Sequence, residues 1–133
     1  MPSKKAKPQN PPPPATTSLK VQAYETARPL LEAMLGNIKE LAKKKPDANM
    51  SKANVARINR LLADLRECLA DEETLKYLDI LDDEMLPQYS DALIVMSQYQ
   101  AALDAFRKRY YIEVGEETDG FGNLEPVFGW STA

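Results

Sequence analysis

The chain has 133 residues, with 17 basic and 20 acidic side chains, a formal net charge of -3, 44% apolar residues and no histidine. That apolar fraction suffices for one small core and is too little for two domains around a cleft. Without histidine there is no imidazole acid–base catalysis, no Ser-His-Asp or Cys-His nucleophile, no HExxH zinc site and no imidazole pH switch. The one cysteine, Cys68, can neither close an intrachain disulfide nor build a thiolate zinc site, and it fits a reducing compartment.

Residues 1–16 read as a disordered Lys/Pro tail. Lys4, Lys5 and Lys7 precede the Pro11–Pro14 run, and no apolar surface is present whose burial would offset ordering. The same prolines occupy the place where a signal peptide would need its apolar stretch, so a cytoplasmic location is expected. The longest central apolar run is the five residues Ala92–Met96, far short of the roughly 20 a bilayer demands, and no membrane association is expected.

From residue 17 helical spacing takes over. Thr17 or Ser18 is a suitable N-cap, and Leu19, Ala23, Ala27, Leu30, Leu31, Met34, Leu35, Ile38 and Leu41 recur on one side. Pro29 predicts a kink or a fresh start near Ala27. Lys43, Lys44 and Lys45 complement the helix end, and Pro46 stops it. Ser51 then caps a second helix whose Val55, Ile58, Leu62, Leu65 and Leu69 form an unbroken coiled-coil-like seam, widened by Leu61 and Cys68.

A short third helix is predicted from Asp71, capped by that residue, with Leu75, Leu78 and Leu81 inward and Tyr77 at an edge. A long fourth segment over residues 87–112 carries Tyr89, Leu93, Met96, Tyr99, Leu103, Phe106 and Tyr110, with Pro87 in its first turn. The last stretch, residues 114–133, holds four of the five glycines within sixteen residues and reads as a loop or a small two-stranded turn. The expected fold is therefore all-α: a small antiparallel bundle of three long helices and one short helix over residues 17–113, with a Gly/aromatic extension behind it.

No chemistry-bearing constellation emerges. The carboxylates Glu25, Glu32, Glu40, Asp64, Glu67 and Asp104 lack the Glu-x-x-His partners of a di-iron bundle. Asp79, Asp82 and Asp83 lack calcium-loop spacing, and Gly120-Phe121-Gly122 is not a phosphate-cradling loop. No catalytic residue, metal or cofactor is expected, although an enzyme using Tyr, Lys and carboxylates in a shared cavity is not ruled out by composition.

Charge and aromatic placement say more. Residues 1–50 carry nine basic and four acidic groups, and residues 51–133 carry eight and sixteen. Lys43, Lys44, Lys45, Lys52, Arg57 and Arg60 are candidates for an anion or nucleic-acid surface around the first interhelix loop, although their connection is too long for a helix-turn-helix. Tyr111, Phe121, Phe128 and Trp130 are candidates for a partner-binding patch. Phe128 and Trp130, separated by one glycine, point to the same side if the chain is extended. The expected function is a non-enzymatic protein-interaction or oligomerisation module, such as an adaptor or small subunit of a larger complex. The alternative is a nucleic-acid-associated accessory protein using the basic residues 43–60.

Overall fold

The computed structural model describes residues 11–133. Most of the Lys/Pro tail expected over residues 1–16 lies outside them. The first helix, α1, spans Ser18–Lys44, with the Thr17 hydroxyl accepting from the Lys20 N–H at 3.2 Å. It ends where the Lys45 N–H donates to the Leu41 carbonyl and Pro46 blocks extension. Helix α1 runs through Pro29 with no fresh start near Ala27. Pro29 and Glu25 both lie on the exposed side, so the Glu25 carbonyl that loses its donor is left to water rather than to the core.

Helix α2, Lys52–Cys68, starts at a Ser51 cap whose hydroxyl accepts from the Asn54 N–H at 3.1 Å. Val55, Ile58, Leu62, Leu65 and Leu69 are all buried, as the seam requires. Helix α3, Tyr89–Tyr110, buries Ala92, Met96, Tyr99, Ala102, Leu103, Phe106 and Tyr110. Helix α1 packs against both of the others through Tyr24, Ala27, Leu31, Leu35 and Ile38. Each fully buried leucine contributes about 1.5–3 kcal/mol relative to exposure, so these seams carry the bundle.

The α1–α2 loop is tied to the start of α3. Met50 N–H donates to the Pro87 carbonyl at 2.9 Å, and Tyr89 N–H donates to the Ala48 carbonyl at 3.1 Å. Pro87 thus precedes α3 as a hydrogen-bonded residue beside the Asn49↔Gln88 bridge instead of opening the first turn of the helix.

The expected short helix from Asp71 is reduced to one 3₁₀ turn, Glu73–Tyr77. Asp71 does not cap it and pairs with Lys20 instead. The chain beyond runs as an extended strap, because α2 and α3 capture its backbone directly. Asn59 both accepts from the Leu81 N–H (2.8 Å) and donates to the Leu81 carbonyl (2.7 Å), Arg66 donates to the Leu78 carbonyl, and the Tyr99 hydroxyl donates to the Asp79 carbonyl at 2.8 Å. Leu78 and Leu81 are buried by this route, on a strap bonded to both α2 and α3.

The all-α expectation is overturned at the C-terminal end. The stretch read as a loop or a small two-stranded turn forms an antiparallel hairpin of β1, Tyr111–Thr118, and β2, Leu124–Trp130, in register from Tyr111↔Trp130 to Thr118↔Leu124. Its turn is fixed by chemistry that the glycine density obscures. Asp119 and Asn123 close the loop through a 2.8 Å backbone bond, the Asp119 carboxylate accepts from the Phe121 and Asn123 N–H groups, and Gly122 supplies φ 81°. A bulge between Glu113 and Gly115 lifts Val114 toward Gly129, where a Cβ would stand 3.3 Å from the Val114 methyl. Beyond β2, Thr132 bridges Thr16 in parallel, with Thr16 N–H donating to the Ser131 carbonyl and Ala133 N–H to the Thr16 carbonyl.

Candidate interaction surface

The hairpin continues α3 without a linker, and at its base the chain folds back onto the bundle. Trp130 meets Tyr24 edge-on at 5.0 Å between ring centroids, Tyr111 at 5.4 Å and Phe106 at 5.8 Å, while Tyr24 stacks on Phe106 at 5.6 Å. The indole N–H donates to Glu25 at 2.9 Å, and the Arg107 guanidinium lies 4.3 Å from the Tyr111 ring centre. Of the four aromatic candidates, Tyr111 and Trp130 are therefore half-buried members of an internal clamp.

Phe121 and Phe128 belong to the other end of the same element. Burial falls away along both strands, so that Phe128 is 56% exposed, Leu124 67% and Phe121, at the tip, 93%. Leu124, Pro126, Phe128 and Trp130 alternate along β2 and share one face, so an apolar stripe runs from the clamp to the turn. Leu124 was not singled out from sequence, although this alternation was its signal. Across the strands stand Glu113, Glu116, Glu117, Asp119 and Glu125, and residues 111–133 contain no basic side chain. Glu117 and Glu125 face each other in register, a like-charge pairing that costs the isolated hairpin a few tenths of a kcal/mol.

The basic candidates occupy the opposite end. Antiparallel packing puts the end of α1 and the start of α2 far from the hairpin base, about 30 Å along α1 from Tyr24 to Lys44. Lys43, Lys44, Lys45, Lys52, Arg57 and Arg60 are all exposed there. Lys43 pairs with Glu40 at 3.5 Å, and Arg57 donates to Asn54 at 3.4 Å. Beside them the α1–α2 seam opens into a groove of about 520 Å³ whose floor is Met34, Ile38, Leu41 and Ile58, with Arg57 and Glu40 on its rim.

Titratable groups inside the bundle are tuned toward inertness. Burial pushes the Cys68 thiol up to about 11, with Glu72 adding to the effect, so the nucleophilic thiolate is scarce at neutral pH. Burial also raises the hydroxyls of Tyr24, Tyr99 and Tyr110 above the usual tyrosine range. Among the described residues, no group of three or more His, Cys, Asp or Glu side chains converges in a way that would hold a metal ion, and no helix is long and apolar enough to cross a membrane.

No family model, no curated protein and no solved structure matches this chain.

Proposed function

We propose that this protein is a non-enzymatic protein-interaction module whose contact element is the β1–β2 hairpin. The observation that carries the reading is the exposure of Phe121, Leu124 and Phe128 on a hairpin whose turn and base are both tightly bonded. Aromatic side chains presented on a pre-ordered scaffold lose little entropy on binding, which is the economy expected of a recognition element. The buried, inert thiol of Cys68 fits a reducing, cytoplasmic setting. Photo-crosslinking from position 121 in cells tests the reading. A discrete protein adduct that disappears when Leu124 and Phe128 become serine supports it; the lack of any protein adduct overturns it.

A second reading, association with nucleic acid, is favoured by the exposure of all six basic candidates at one end of the bundle. It requires low-salt binding that falls steeply as salt rises and that is lost when Lys43, Lys44 and Lys45 are replaced.

A further inference from the structure

We infer that the partner of the hairpin is the α1–α2 groove of a second copy of this chain, joined head to tail. The inference rests on the hairpin being a contact element and adds the identity of what it contacts. Three observations carry it. First, the two surfaces match in character: Phe121, Leu124 and Phe128 are uncovered at one pole, and Met34, Ile38, Leu41 and Ile58 floor an open groove at the other. Second, they match in charge. The hairpin stretch 111–133 carries five acidic and no basic side chains, while residues 39–60 around the groove carry seven basic and two acidic. Third, the facing carboxylates of Glu117 and Glu125 repel each other in the free hairpin, and Arg57 on the groove rim, with the exposed lysines at that end of the bundle, relieves the repulsion.

Charge also selects this arrangement over the obvious alternative. Among the described residues the outer edges of both hairpin strands are open, and edge-to-edge pairing of two hairpins would make a symmetric dimer. That pairing brings two stretches of like charge together, five acids against five. Docking on the groove brings opposite charges together instead. Because hairpin and groove lie at opposite ends of one molecule, the contact is heterologous: each copy offers both halves, and association builds rings or open chains. A hairpin end is smaller than a standard interface, so each contact is of modest strength and assembly depends on concentration.

Complementation between two disabled variants of the full chain tests the inference. One carries Phe121→Ser, Leu124→Ser and Phe128→Ser with its groove intact; the other carries Leu41→Glu and Arg57→Glu with its hairpin intact. All five positions are exposed, and circular dichroism verifies that both variants fold. In sedimentation velocity, the wild-type chain is expected to form species beyond a dimer as concentration rises to about 1 mM, where contacts of modest strength populate. Each variant alone is expected to associate at least about tenfold more weakly, and an equimolar mixture to give a capped heterodimer that dissociates as salt rises.

A wild-type chain that stays monomeric, or variants that fail to complement, overturns the inference. Cysteines placed at position 121 that cross-link hairpin to hairpin overturn it too, as does a basic end occupied by added RNA or DNA instead of protein. A monomeric wild type that still cross-links from position 121 to a different protein leaves the interaction reading standing and removes only the second copy as partner.

Discussion

The indole N–H of Trp130 donates to the Glu25 carboxylate at 2.9 Å, and so ties the last strand to the first helix across 105 positions of sequence. The same ring closes over Tyr24 and Phe106, which makes it the joint between hairpin and bundle. Trp130→Ala is expected to cost about 2–3 kcal/mol, less than a fully buried aromatic because the ring is half-exposed. Trp130→Phe keeps ring packing and loses the hydrogen bond, for about 1 kcal/mol. Urea titration followed by far-UV circular dichroism measures both, and near-UV spectra report whether the aromatic cluster has loosened.

Serine at Phe121, Leu124 and Phe128 has the opposite expectation. These side chains stand in solvent and support nothing in the bundle, so each replacement alone should move stability by no more than about 0.5 kcal/mol. Thermal unfolding of the single variants checks this, and a loss several times larger would mean that the hairpin is held by contacts of these residues.

Asn59→Ala addresses the strap. One side chain satisfies both the N–H and the carbonyl of Leu81, and its loss strands two part-buried backbone groups. The expected cost is about 2–3 kcal/mol, with faster amide exchange at Leu81 as the local signature.

Cys68 offers a pH window. Its thiol titrates near 9 when unfolded and is pushed up to about 11 by burial in the folded chain. A raised folded value means that the associated stability is fully present below about 9 and is lost as pH climbs toward about 11, while the unfolded state gains by ionising first. Thiol-reactive dye at pH 8 should therefore label folded protein slowly and urea-unfolded protein at once.

Asp119 works in the other direction. The N–H groups of Asn123 and Phe121 hold its carboxyl below the ordinary aspartate value of 3.8, so turn order is retained through neutral pH and is lost only as pH falls below that value. Amide chemical shifts of Phe121 and Asn123 should stay flat from pH 7 down to the ordinary carboxylate range and move together only below it.

Helix positions were legible in the sequence because one apolar period decided them. Val55, Ile58, Leu62, Leu65 and Leu69 occupy buried positions on the face that their spacing marked, and Thr17 and Ser51 cap the helices that follow them. Two other regions were decided by partners distant in sequence. Leu75, Leu78 and Leu81 fit a helical period equally well, but Asn59, Arg66 and Tyr99 draw the backbone out as a strap. In the hairpin, glycines at 115, 120, 122 and 129 resemble loop composition, yet Gly122 serves a turn and Gly129 makes room beside the bulged Val114. The aromatic candidates were found as a group, but spacing alone could not divide them into a clamp of Tyr111 and Trp130 and an exposed pair of Phe121 and Phe128. Tyr24 and Glu25, which receive the indole, lie more than a hundred residues earlier and gave no local sign of it.

The pairing of Trp130 with Tyr24 also decides what a shortened chain would expose. A released chain that stops before Trp130 can still form α1, α2 and α3, but leaves the Tyr24 ring and its Phe106 neighbour without their cover. Such a chain would present that bare aromatic pair to chaperones and proteases, so the stretch that displays the hairpin is also the one that seals the bundle.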